Sequence, residues 1–359
     1  MADAVGAGAV RDGEASAPRE PGWAMLVSAL LVFLLLPVLP IVQVVMPVSQ
    51  PLLLLIPALA ACAVIGWADG GPLWFAVVWV ALACTALNIL PRADGSYGAV
   101  ERGWALLLAA VFGLVCLNSA RQTRFFARAL AALAVSLGVA CAIGLAAGVG
   151  THEIRHMVGA HIASLPNDAL DGWRQWIASP EYLKMAQADP TTVDIFRASG
   201  EDVLRSIPLF GQRYFPALLA LESMFAMMLA WWLYHRISRT RIGVPLARLR
   251  DFRFDDHLVW GAIVGITCIT IPTLADWRGV GFNLTLFFGT LYALRGVGVF
   301  AWFLRAARFG TPTLLAIAGV VAMLTLAGGA HMPIAPALLG LIGLGDTWAD
   351  WRARVRPTA

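Results

Sequence analysis

The chain has little charge and almost no lysine. Asp, Glu, Lys and Arg make up 13% of its 359 residues, where soluble domains carry roughly a quarter. Together with 59% hydrophobic residues, that shortage excludes an ordinary soluble domain. Lys184 is the single lysine among 26 basic residues, so no glycine-rich loop ends in the lysine that cradles nucleotide phosphates. ATP hydrolysis by this chain is thereby excluded. Disulfide patterning is also missing: Cys62, Cys84, Cys116, Cys141 and Cys268 all sit inside apolar runs, with no CxxC spacing. They read as small packing residues rather than as a secreted framework or a zinc site. No signal peptide is expected, because the first apolar run is too long and no small-residue cleavage site follows it.

What the chain does have is apolar runs of the length that crosses a bilayer as a helix, about 17–25 residues. They predict an all-α, polytopic membrane bundle of about ten helices, near 23–46, 51–67, 73–91, 104–119, 128–149, 209–234, 258–275, 282–304, 313–329 and 333–345. The first should kink at Pro37 and Pro40, and the last is short enough to be tilted or re-entrant. The expected organisation is a disordered cytoplasmic tail at 1–21 and membrane helices over 22–149. An extracytoplasmic amphipathic segment at 150–208, further membrane helices over 209–345 and a cytoplasmic tail at 346–359 follow.

Orientation follows from arginine. If the spans alternate, Arg121–Arg128, His235–His257, Arg305–Arg308 and the tail Trp351–Arg356 share one side. Basic short loops stay inside, so that side and both termini are cytoplasmic, in a bacterial inner membrane. The segment Thr151–Pro208 then lies outside, with eight acids against five bases. Its helix starts are legible at Thr151, at Ser179-Pro180 and at Asp189-Pro190, where a capping side chain or a first-turn proline stands. The arginine-rich connection His235–His257 suits anionic lipid headgroups rather than nucleic acid, because it is short and also carries Asp251, Asp255 and Asp256.

Two charges interrupt the spans. Glu222 and Arg295 lie in apolar runs that enter from the outside, and counted from Arg236 and Arg305 their depths differ by about 6 Å. An unpaired charge at mid-bilayer costs about 2.5–3.5 kcal/mol on insertion scales; a salt bridge between them is expected to reduce it, with contact of each to a water-filled cavity, and no pair, as the alternative. Such a pair either only orients two helices or belongs to a binding site for a small solute, with Asn283 beside it as a further candidate lining residue. Close-packing spacings occur at Gly144/Gly148, Gly261/Gly265 and Gly296/Gly298.

A third signal is His152-Glu153-Ile154-Arg155-His156, an HExxH pattern of the kind that binds zinc on a helix. Gly159 follows where a longer zinc-protease pattern wants glycine, but His161 comes one residue early. On a continuous helix it faces half a turn away from His152. His152 and His156 are therefore weak metal candidates, more simply read as polar residues of an interfacial helix. No cofactor and no catalytic residue is expected.

The carboxy-terminal part, about Pro245–Arg352, carries PLARLRDFRFDDHLVW, then Asn283 with LYALRGVGVFAWFL, and ends in LGLIGLGDTWADWRAR. In these stretches it resembles the YybS-like family of bacterial membrane proteins, a group of undefined function. That family usually has an amide where this chain has Arg295. The resemblance implies a polytopic helical fold and, by analogy, the substrate-binding membrane components of vitamin transporters. The function expected is binding or passage of a small solute, with membrane lipids and other membrane proteins as further partners. A structural role in envelope assembly is the alternative, and a membrane zinc hydrolase the third.

Cysteine-accessibility labelling is expected to reach residues 160–200 from outside and 238–250 from inside. Labelling of both segments from one side would overturn the arginine argument and the helix count with it.

Overall fold

The computed structural model describes residues 22–35, 37, 42, 46–48, 50–90, 96–120, 122–164, 166–247, 249–306 and 334–351. Among them the protein is all-α, without a strand. We number the helices α1 Trp23–Leu35, α2 Leu52–Ala68, α3 Leu73–Ile89, α4 Ser96–Asn118, α5 Phe125–Ala146, α6 Thr151–Ser164, α7 Pro166–Ile177, α8 Pro180–Ala188, α9 Pro190–Ile237, α10 Val259–Thr270, α11 Arg278–Ala306 and α12 Ile334–Ala349. Four stretches are long and apolar enough to cross a membrane: Ser96–Asn118, Phe125–Ala146, Pro208–Ile237 and Pro272–Phe303. Four shorter apolar helices accompany them. The run near 313–329 lies outside the described residues, as does most of the expected kink around Pro37 and Pro40.

Several helices outrun their apolar cores, α9 by the most, since it begins at Pro190. α4 starts at Ser96, inside the stretch expected to be a loop, and so takes Tyr97 and Glu101 into the bundle. α12 continues to Ala349 and takes in Asp346. Helix starts follow local chemistry: Glu153 reaches back to the backbone N–H of Gly150 at 2.6 Å, half of a capping box. Ser179 Oγ accepts from Tyr182 N at 3.2 Å to begin α8.

The centre of the bundle is the C-terminal half of α9, where Ala226, Met227, Leu229, Ala230, Trp231 and Tyr234 are almost wholly buried. It packs against α2, α5 and α11. Outward faces remain apolar, as at Leu114, Leu145 and Ile266, as suits a lipid-facing surface. The ends of the bundle can be told apart. Buried Arg128, near the start of α5, donates to Ala120 O and to Ile242 O, both at 2.9 Å. The connections after α4 and after α9 therefore meet at one end, the arginine end. Across the opposite end lies α6, where His161 stacks on Tyr97 with ring centroids 3.8 Å apart.

The closest helix crossing is that of α11 with α12. A Cβ on Gly296 would lie 1.9 Å from Leu339 O, and one on Gly343 would lie 1.9 Å from Tyr292 O. The backbones thus touch, as small residues permit inside membranes. Gly261 and Gly265 serve α10 in the same way, against Phe288 and Thr285. Among the described residues nothing lies within 4 Å of a Cβ on Gly148, and one on Gly144 meets only Val149 O, at 3.9 Å, so that spacing marks no contact between described helices. Gly296→Ala and Gly343→Ala are each expected to cost about 1–3 kcal/mol through overpacking, read as a lowered Tm in detergent. Gly289→Ala, with nothing within 4 Å of its Cβ, is the neutral control; equal loss in all three would refute the crossing.

Candidate functional site

The expected salt bridge between Glu222 and Arg295 is not formed. The Arg295 side chain is 3% exposed and its charge is met elsewhere. Nε donates to Asp346 Oδ2 at 3.0 Å, Nη2 to Asp346 O at 3.3 Å and Nη1 to Asp256 Oδ1 at 2.9 Å. Its guanidinium also lies 5.4 Å from the centroid of the Phe254 ring. Depth counted from Arg305 misses this, because the segment around Phe254 folds back along α11 and brings Asp256 to it. Phe254 packs edge-on against Tyr292, 5.0 Å between centroids. Arg295 consequently sits with the arginine-end connection and the end of α12, binding three segments of chain into one unit. Beside it, outside the spans, Asp255 accepts from the His257 backbone N–H at 2.9 Å and lies 2.7 Å from His257 Nδ1. These contacts hold its carboxyl below the ordinary range.

Asn283 is also fully engaged. Its Nδ2 donates to Arg213 O at 3.0 Å and to Gly279 O at 2.8 Å, while Oδ1 accepts from Ala217 N at 3.0 Å. Arg213 O and Ala217 N are the two halves of one helical rung, four residues apart, next to Pro216 in α9. The amide spans that rung where proline weakens the ladder. It joins α11 to α9.

Glu222 stands in a different place, fifteen residues before the arginine end of α9 at Ile237, or about 22 Å along the helix. It is 7% exposed. Oε2 accepts from Val48 N at 3.0 Å, and Oε1 is buried without a hydrogen-bond partner among the described residues. Its electrostatic neighbour is a second buried carboxylate, Glu101 of α4. Next along the chain, buried Ser223 accepts from Trp104 Nε1 at 2.9 Å. Tyr97, one turn before Glu101, feels both carboxylates and donates to Pro47 O. Above Tyr97 lies His161 of α6. These residues form a polar column, His161, Tyr97, Glu101 and Glu222, that descends from the end opposite the arginine connections. Glu101 and Tyr97 escape hydropathy, which assigns Pro91–Gly103 to a loop. Ser96 ahead of a polar-apolar stretch is the one available sign that a helix begins there.

Compared with known proteins, the chain matches no family model, no curated protein and no solved structure.

The HExxH stretch lies on α6, which runs unbroken through Gly159. His161 thus stays half a turn from His152 and stacks on Tyr97, while His156 is exposed. The His152 side chain is outside the described residues. Among those described, no three His, Cys, Asp or Glu side chains converge as metal ligands would.

The Arg295 clamp makes a graded prediction. Arg295→Gln and Asp346→Asn should each cost about 3–5 kcal/mol, since each strands a buried partner. Asp256, 60% exposed, should cost only about 0–1 kcal/mol as Asp256→Asn. Thermal unfolding in detergent gives the order, and an Asp346→Asn loss no larger than that of Asp256→Asn would rule out the buried clamp.

Proposed function

We propose that this is a multi-pass protein of a bacterial cytoplasmic membrane that binds or passes a small solute at the polar column around Glu222, open toward the extracytoplasmic face. About ten spans, cytoplasmic termini and a YybS-like carboxy-terminal part belong to this proposal. The observation that carries it is Glu222 itself: a carboxylate deep in a span, with a buried oxygen lacking a donor and no basic side chain in contact among the described residues. A charge placed there costs energy that a purely packing role does not return, and intramembrane ionisable groups of this kind mark solute or ion paths. Arg295 and Asn283, by contrast, have their polar atoms taken up by the scaffold and serve to hold the helices around the column. Orientation rests on the arginine-bearing connections meeting at one end, which the positive-inside rule assigns to the cytoplasm. His161 and Tyr97 then face outward, and α6 covers the entrance.

Access tests this without knowledge of the solute. In a background with all five cysteines replaced, Ser223→Cys is expected to react with a membrane-impermeant methanethiosulfonate added outside, and to resist the same reagent added inside. Reaction should be slow, because Ser223 is buried and α6 must move. Failure to react from either side over hours would mean a sealed column and would sink the proposal.

A further inference from the structure

The charge of Glu222 narrows the class of ligand. We infer that the column is a site for one monovalent cation, in which an alkali ion and a proton compete for Glu222. This rests on the solute site proposed above and names what it takes.

The argument starts from neutrality. Glu222 is 7% exposed, and each of its contacts among the described residues is neutral or negative. Val48 supplies one backbone N–H, to Oε2 at 3.0 Å, which fixes the carboxylate and leaves Oε1 turned to no donor. The groups facing it from the packed elements are Glu101 and Tyr97 of α4, with His161 of α6 above Tyr97. Glu101 adds negative potential rather than relieving it. Among the described residues no positive charge stands at Glu222, and a proton or a bound cation would supply it, since an isolated carboxylate in a span is too costly to persist.

The donors select among cations. The groups that share the column with Glu222 carry oxygen: Glu101 and Tyr97 interact with its charge, and the buried Ser223 hydroxyl follows it in the chain. Tyr97 spends its proton on Pro47 O and Ser223 accepts from Trp104 Nε1. Among the described residues no thiol interacts with Glu222, and His161 is engaged by the Tyr97 ring. Hard oxygen donors suit alkali and alkaline-earth ions rather than zinc or copper. Two carboxylates in one buried site do not both ionise, so Glu222 and Glu101 together carry one net charge; one monovalent ion balances it, whereas a divalent ion would leave an excess. Exchange of an alkali ion for a proton leaves the net charge of the column unchanged, so the site can empty one way only by filling the other.

The test uses the full chain in detergent, with sodium, lithium or potassium chloride against N-methylglucamine chloride at equal ionic strength. At pH 8.5 one of the three alkali ions should raise Tm by several degrees. Its half-saturating concentration should rise about tenfold per pH unit once the proton competes, since ligands that must be deprotonated bind metal in a pH-dependent way. Glu222→Gln should abolish both the shift and its pH dependence. Absence of any alkali-specific shift at pH 8.5, or its survival in Glu222→Gln, overturns the inference. If Glu222→Gln does not fold, the wild-type competition decides alone, and a pH-independent alkali shift overturns it. The labelling of Ser223→Cys separates this from the wider proposal: labelling without an alkali effect removes the cation and keeps the solute site, while an alkali effect without labelling removes the open path and keeps the cation site.

Discussion

A guanidinium placed in the middle of an apolar helix must have its charge met within reach of its own side chain, and Arg295 meets it with Asp346 and Asp256. Much of the carboxy-terminal half depends on that contact. It ties α11 to the end of α12 and to the connection after α9, so that the two glycine-to-backbone approaches at Gly296 and Gly343 are held together by a charge as well as by packing. A buried pair of this kind adds little net stability over an apolar equivalent, yet loss of one partner is severe. Its value lies in fixing one arrangement of three segments.

Glu222 presents the opposite solution. Its side chain is also buried, but among the described residues its partners are a single backbone N–H and, electrostatically, a neighbouring acid. Among the described residues the protein thus compensates one intramembrane charge with acids and sets no basic side chain against the other. These two charges lie toward different ends of the bundle. The contrast separates a scaffold region at the arginine end from a chemically unsatisfied region at the other, and α9 runs through both.

Between them the helix breaks are managed locally. Asn283 inserts its amide at the Arg213–Ala217 rung of α9, beside Pro216. Buried Arg128 ends its charge on two backbone carbonyls, with its guanidinium 5.4 Å from the Trp231 ring centroid. At the far end, α6 begins at Thr151 as its sequence indicates and lays His161 on Tyr97. In each case a polar group that hydropathy treats as an interruption is spent on joining neighbouring helices.

The class of protein was legible from the chain alone, because crossing a bilayer requires a contiguous apolar run and contiguity is a property of sequence. The positions of Glu222, Arg295 and Asn283 inside such runs, and the gathering of arginine into a few connections, were legible for the same reason. Which charge answers which was not. Depth counted along a helix from its nearest loop assumes that helix and apolar run end together, and here α4 and α12 extend past their runs and carry Glu101 and Asp346 inward. The connection at Asp256 likewise folds against α11 instead of standing in solvent. Hydropathy sums one segment at a time, whereas an ion pair depends on two segments sharing a place. Only the tertiary structure decides that, and it assigned Arg295 to the scaffold and left Glu222 with Glu101.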